Sequence, residues 1–364
     1  MTSPIASLIE FGQSPWYDNL TRALATGGLR DLATEHGIRG VTSNPTIFEK
    51  AMAAGTDYDA QLREVSRRGA STVDAYWDLV TEDIAHAADI LRPYYDEWDG
   101  SDGFVSLEVS PDLARDTDAT VTQAQELWAR LDRPNIMIKI PATAEGVPAI
   151  TAALAAGLNV NVTLIFGLGR YDEVLDAFIG GLEQRAAGGH DISRLASVGS
   201  FFVSRVDTET DRRLPDGHPL RGKAAVANAK LAYQHFLAAL SGPRWDALAA
   251  KGARVQRPLW ASTSTKNPDY PPTLYVDTLI GRDTVNTLAQ ASVDALEAGK
   301  GALVADSVLE DLDDARATMA GLADAGVDFD DVTETLEREG VAAFSASFHD
   351  ALESLEKKAR ELTR

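Results

Sequence analysis

The chain has 364 residues, 45% of them hydrophobic and 24% charged, with a formal net charge of −21. That length is enough for a substantial core, and that charge argues against the basic face needed for nucleic acid or an anionic membrane. The absence of cysteine removes disulfides, thiolate metal sites and cysteine nucleophiles, and the six histidines are scattered with no pair at ligand spacing.

No apolar run reaches the length of a membrane span, and the first residues lack the basic and apolar regions of a signal peptide, so a cytoplasmic protein is expected. In chain order, Ser14-Pro15-Trp16-Tyr17-Asp18 puts an acid at the end of a short aromatic segment. A helical pattern through Leu24, Leu29 and Leu32 follows. Ile38 to Thr42 reads as a strand that Ser43-Asn44-Pro45 ends, Asn-Pro being turn punctuation. Ser71-Thr72-Val73-Asp74 is a capping box with Asp in place of Glu. Val73, Trp77, Val80, Ile84, Ala88 and Leu91 then recur at spacings of three and four, which predicts an amphipathic helix ending near Pro93. Gly103 to Val109 alternates and is β-branched, a strand that buries Glu108 if both its faces are covered.

The run from Asn135 to Thr143 is almost unbroken in its apolar character and is closed by Pro141, with one lysine, Lys139, inside it. An ammonium between apolar neighbours is disfavoured unless it is paired. The neutral amine is a nucleophile towards carbonyl carbon, so the chemistry offered here is a Schiff base. The structural alternative is a lysine at a strand end that reaches water.

A short helix from about Val147 to Ala156 is stopped by Gly157. Leu158 to Phe166 is a further strand with Asn161 and Thr163 on one face. Leu195 to Arg205 is another, carrying Ser200 and Phe202, and a helical insertion runs from about Arg221 to Leu240. Pro258 to Lys266 and Thr273 to Asp277 are the last two strands expected. Everything from about Asp283 onward is expected to be helical. The final helix carries Val341, Phe344, Phe348, Leu352 and Leu355 on one stripe, which either packs on the rest of the chain or joins two copies, so monomer and homodimer both stay open.

Eight strand-like segments separated mostly by helices define a parallel sheet, either a closed (β/α)8 barrel or a doubly wound sheet. The count of eight, and polar residues at the carboxyl ends of many strands, favour the barrel. No linker rich in Pro, Gly or Ser divides the chain, so residues 1–364 are expected to form one domain. In a barrel, Asp18, Asn44, Glu108, Lys139, Asn161, Thr163, Ser200 and Ser262 face one mouth. A Schiff-base enzyme needs such a set: a lysine nucleophile, a carboxylate to move protons, a second acid to activate water, and amides and hydroxyls to hold a polyol. Each residue alone has a structural explanation, Asn44 as a turn former and Thr163 as a strand residue. Their shared position at strand ends carries the argument.

Gly40-Val41-Thr42-Ser43-Asn44-Pro45-Thr46-Ile47-Phe48 and Ile138-Lys139-Ile140-Pro141-Ala142-Thr143 resemble the two signature motifs of transaldolases. Asn161 to Phe166 and Ala227 to Gln234 are similar to further stretches of that family, and Trp260-Ala261-Ser262-Thr263 resembles its longer, bacterial-type branch. The resemblance runs from about Ser14 to the C-terminal helix. It implies a (β/α)8 barrel with its Schiff-base lysine on the fourth strand. The reaction it implies moves a dihydroxyacetone unit from sedoheptulose 7-phosphate or fructose 6-phosphate to an aldose phosphate, with no metal or organic cofactor.

Carried over residue by residue, Lys139 falls on the Schiff-base position, Asp18 on the acid/base for carbon–carbon cleavage, and Glu108 on the carboxylate of the catalytic water. Relatives that release free dihydroxyacetone carry an amide at the place of Glu108. Asn44 and Asn161 match donors to substrate hydroxyls, and Thr163 the hydroxyl that holds the water. Ser200, Phe202 and Arg205 match a serine, an aromatic and a phosphate-binding arginine on the sixth strand. After Ala261-Ser262 the shorter relatives place a second phosphate-binding arginine; this chain has Ser264 there, with Lys266 nearby, so the second phosphate ligand is Lys266 or another residue.

Three other readings compete with this one. Gly167-Leu168-Gly169, with Asp191 about twenty residues on, resembles part of a dinucleotide fingerprint, but Asp172 stands where the third glycine belongs. A non-catalytic sugar-phosphate binder has no use for Lys139, Asp18 and Glu108 together. The nearest alternative is a class I aldolase that releases free dihydroxyacetone.

Overall fold

The computed structural model describes residues 3–53 and 55–362. Eight strands run in order: β1 (Gln13–Tyr17), β2 (Gly40–Val41), β3 (Val105–Glu108), β4 (Ile136–Pro141), β5 (Val160–Ile165), β6 (Ser197–Phe202), β7 (Gln256–Ala261) and β8 (Thr284–Leu288). Each pairs in parallel with the next, and β8 returns to β1, so the sheet closes into a (β/α)8 barrel. Nearly every strand residue is buried, as expected for strands covered on both faces.

Helices join the strands. Those used below are α1 (Leu29–Glu35), α2 (Pro45–Ala53), α3 (Thr72–Glu97), α4 (Thr117–Leu131), α5 (Gly146–Ala156), α6 (Leu168–Ala187), α7 (Ser204–Arg213), α8 (Ala224–Ala239), α9 (Gln290–Glu297) and α10 (Phe329–Leu362). The N-cap half of the expected capping box forms: Ser71 Oγ accepts the Asp74 N–H at 3.1 Å, while the Asp74 carboxylate accepts from the Ser71 hydroxyl at 2.7 Å in place of the Ser71 N–H. Gly157, at φ 94°, ends α5 in the left-handed region that glycine enters without penalty. Gly40 has a different reason: a Cβ there would lie 2.4 Å from the Trp16 ring, so β2 can pair with β1 only as glycine.

Three expectations need correction. Thr273 to Asp277 is not a strand; Leu274–Asp277 is a helical turn, held by Thr273 Oγ1 donating to Asp277 Oδ2 at 2.8 Å. The eighth strand is Thr284–Leu288, inside the part expected to be helical. Five consecutive register pairs from Gln13↔Thr284 to Tyr17↔Leu288 hold it, and closing the barrel requires them. Helix α3 does not end near Pro93 but continues to Glu97. Pro93 lies on the exposed face, while Tyr95 beyond it is buried edge-on against Phe104 at 5.5 Å, which holds the last turn.

The C-terminal stripe packs on the barrel. Phe344, Phe348 and Leu355 are buried, and Val341 and Leu352 pack against the same core. Helix α10 thereby lies over the carboxyl ends of the strands. No helix among the described residues is long and apolar enough to cross a membrane.

Candidate active site

The site begins with a register row. Glu108 on β3 pairs with Lys139 on β4, which pairs with Asn161 on β5. Residues at one register of adjacent parallel strands point to the same face, here the barrel interior. Lys139 is 4% exposed, and its Nζ lies 3.2 Å from Glu108 Oε2 and donates to the Ser43 carbonyl at 3.2 Å. The lysine is thus buried and paired and does not reach water at a strand end. Burial pushes the Glu108 carboxyl above its ordinary range, Lys139 opposing and Asp18 adding to the rise.

Above this row lies a cavity of about 290 Å³, walled by Asp18, Asn44, Lys139, Thr163, Ser200, Phe202, Arg205, Ser262 and Lys266, all of them expected from the sequence. Asp18 follows β1; its N–H donates to the Leu288 carbonyl at 3.0 Å and its Oδ1 accepts from Thr42 Oγ1 at 2.8 Å. Asn44 caps α2, its Oδ1 accepting the Ile47 N–H at 3.0 Å ahead of Pro45 in the first turn. With its oxygen used by the cap, Asn44 offers the cavity its amide N–H groups. The Asn-Pro pair is therefore both turn punctuation and a means of orienting a donor.

Glu108 and Asn161 do not wall the cavity; each stands one contact behind it. Asn161 Oδ1 accepts from Ser200 Oγ at 2.7 Å, and its Nδ2 donates to Ser106 Oγ at 3.0 Å. Thr163 lies just before an irregularity in β5, where Leu164 has φ 61° and the register against β6 shifts between Val162 and Ile165. Bulges of this kind re-aim side chains beside active sites. Thr163 Oγ1 is buried and makes no hydrogen bond among the described residues, so it can still take one, whereas the buried Glu108 Oε2 has Lys139 Nζ as its partner.

On the opposite wall, Phe202 ends β6 and packs on Phe166 at 5.2 Å. Arg205 lies in the first turn of α7, not on the strand, with its guanidinium 5.2 Å from the Phe202 ring centroid. It makes no ion pair among the described residues. Desolvation lowers its pKa, with Asp18, Glu108 and Glu339 opposing. Ser262, at φ 56°, meets Ser204 Oγ at 2.9 Å across the turns after β7 and β6. Lys266 stands exposed at the rim, its Nζ donating to Ser264 Oγ at 2.9 Å; desolvation and then the Arg205 charge lower its pKa.

Among the wall residues that sequence reasoning missed, two bear on the chemistry. Lys50, on α2, adds another rim cation, and a helix-surface lysine carries no local mark of this. Phe344 of α10 lies 5.7 Å from Lys139 Nζ by ring centroid and is 4% exposed. Its place in an apolar stripe marked it as packing. The wall therefore holds Lys50, Lys139, Arg205 and Lys266 against the single carboxylate Asp18, a positive cavity in a chain of net charge −21.

An eight-stranded parallel barrel with a buried lysine–carboxylate pair under a cation-rimmed cavity is the build of a carbonyl-handling barrel enzyme. A family model described as transaldolase/fructose-6-phosphate aldolase matches residues 15–355. A transaldolase of Thermobifida fusca is 52% identical over 359 residues, covering 97% of both chains. One of a Parafrankia species is 51% identical over 98% of both, and one of Mycobacterium bovis 47% identical over 96% of this chain and 95% of its own. The chain belongs to the transaldolase/fructose-6-phosphate aldolase family.

Proposed function

We propose that the chain, acting as one domain, is a transaldolase that moves a dihydroxyacetone unit from a phosphorylated ketose, sedoheptulose 7-phosphate or fructose 6-phosphate, to an aldose phosphate. The observation that carries this reading is Lys139 Nζ, buried at a positive cavity and 3.2 Å from Glu108.

In this mechanism the Lys139 amine adds to the ketose carbonyl, and the carbinolamine loses water to give an iminium. Glu108, paired with Lys139, and Thr163, whose buried hydroxyl makes no hydrogen bond among the described residues, hold and deprotonate that water on its return. Asp18 takes the proton from the C4 hydroxyl. The C3–C4 bond then breaks, its electron pair passes to the iminium nitrogen as an enamine forms, and the aldose phosphate leaves. An incoming aldose phosphate is attacked by the enamine, and the steps reverse. Asn44 donates to substrate hydroxyls, and Asn161 fixes Ser200 for the same purpose. Arg205 and Lys266 hold the phosphate, with Ser262 beside them.

Glu108 as a carboxylate, together with relatives that are named transaldolases, supports transfer over simple release of dihydroxyacetone. A cytoplasmic setting, where phosphorylated sugars are retained because they do not cross membranes, goes with this reading. The experiment that tests it is borohydride reduction in the presence of fructose 6-phosphate, followed by peptide mass mapping. A reduced dihydroxyacetone adduct on the peptide containing Lys139 is expected, and an adduct on any other lysine overturns the mechanism.

A further inference from the structure

Phe344 is the one cavity-wall residue among those described that comes from outside the eight strand–helix units. Its helix is fastened over the mouth at several points. Thr46 and Ser347 hydroxyls meet at 2.7 Å, Asp112 accepts from Ser345 at 2.8 Å, and Arg115 pairs with Glu337 at 3.3 Å. These contacts tie α10 to α2 and to the segment after β3, on the side where Glu108 and Lys139 stand. The ring that this seating delivers is apolar, buried, and within cation–π reach of the Lys139 nitrogen.

Once the aldose has left, the enamine on Lys139 has two fates. Attack on an acceptor carbonyl completes transfer. Protonation of the enamine carbon regenerates an iminium, and water adding to its carbon then releases free dihydroxyacetone and the free amine. Both fates end with water adding to an iminium carbon, but only the second requires a proton on the enamine carbon and a water on the three-carbon iminium before an acceptor has reacted. A buried apolar ring against the nitrogen offers neither, and it excludes bulk water from that side. Glu108 and Thr163 remain to handle a single held water. We propose that Phe344 is a positioning residue that shields the covalent intermediate and so sets its partition between transfer and hydrolysis. This rests on the Schiff-base reading above.

The test compares the unmodified protein with Phe344→Ala, Phe344→Leu and Phe348→Ala. Phe348 packs edge-on against Tyr76 at 5.0 Å and does not wall the cavity, so its loss loosens α10 without opening the Lys139 side. With fructose 6-phosphate as donor, free dihydroxyacetone is measured without acceptor and transfer is measured with erythrose 4-phosphate. The ratio of release to transfer is expected to rise by roughly threefold or more in Phe344→Ala, the consequence of letting water reach a reactive intermediate. A smaller rise is expected in Phe344→Leu, which keeps apolar bulk, and none in Phe348→Ala. If Phe344→Ala does not fold, Phe344→Leu is read by the same criterion. A ratio unchanged while both rates fall together, or an equal rise in Phe348→Ala, overturns the proposal. If the unmodified protein gives no trapped adduct on Lys139, it is the Schiff-base reading itself that has failed.

Discussion

Glu108 and Lys139 are register partners on adjacent strands, and their side-chain charges meet at 3.2 Å inside the barrel. Breaking a buried pair by removing one member leaves the other charge uncompensated, so neither residue can be changed without consequence for its partner. Lys139→Ala is expected to abolish trapping and to lower turnover by roughly 10⁴-fold or more, as loss of a nucleophile does. The folded state should survive, because Glu108 can take up a proton. Turnover within tenfold of the unmodified protein would remove Lys139 from the mechanism.

Glu108→Gln keeps the shape and removes the carboxylate proposed as the base. The transfer rate is expected to fall by about 10²- to 10⁴-fold, the usual contribution of a positioned general base. Burial raises the Glu108 pKa, so activity that depends on its ionised form falls as pH drops through a value above the ordinary carboxylate range. That acid limb should be absent from the pH–rate profile of the Gln variant. The same limb in both proteins would assign it to another group.

Arg205 stands desolvated and without an ion pair among the described residues, ready for an anion. Arg205→Ala should raise KM for phosphorylated donors by roughly ten- to a hundredfold, the worth of a charge-assisted hydrogen bond, with much less effect on trapping by unphosphorylated dihydroxyacetone. Lys266→Ala should do the same more weakly, and inorganic phosphate should compete with the sugar phosphate. Equal weakening of both ligand types would mean that Arg205 supports the fold and the phosphate sits elsewhere.

Asp207, on the same helix as Arg205, accepts the Ala225 N–H at 2.8 Å and the Tyr275 hydroxyl at 2.7 Å, which ties α7 to the start of α8 and to the turn before β8. Burial raises its pKa to about 6. A carboxyl with a raised folded-state pKa binds its proton more tightly in the folded chain, so its contribution to stability is present below about pH 4 and lost as pH rises to about 6. The loss is of order 3 kcal/mol. Asp207→Asn mimics the protonated form and should gain on the unmodified protein in Tm as pH rises from 4 to 6. A Tm difference that stays flat over that interval would contradict the assignment.

The parts of this molecule that were legible in its sequence are those whose local chemistry differs from their surroundings. A lysine within an apolar strand, Asn-Pro at a strand end and Gly after an apolar helix each announced their place. Thr284–Leu288 and Thr273–Asp277 could not be told apart, because both are short β-branched runs. Only the hydrogen bonds offered by β1 decide which becomes the strand. Asn161 was legible as an inward-facing amide, but its commitment to Ser106 and Ser200 depends on three strands at once. Phe344 lies far along the chain from Lys139, and no periodicity within α10 shows which member of its stripe reaches the cavity.

The closure of β8 onto β1 also has a consequence in time. The main chain of Asp18 is held by the carbonyl of Leu288, and the roof over Lys139 comes from residues 329–362. A ribosome adding about 5–20 residues per second needs tens of seconds to go from Asp18 to Phe344. From Lys139 to Leu288 the growing chain carries the amine, but neither the clasp on Asp18 nor the cover that Phe344 gives to Lys139. Catalytic competence should therefore arrive late in synthesis, as one event near the end, and nascent chains arrested before residue 284 should form no borohydride-stable adduct with fructose 6-phosphate.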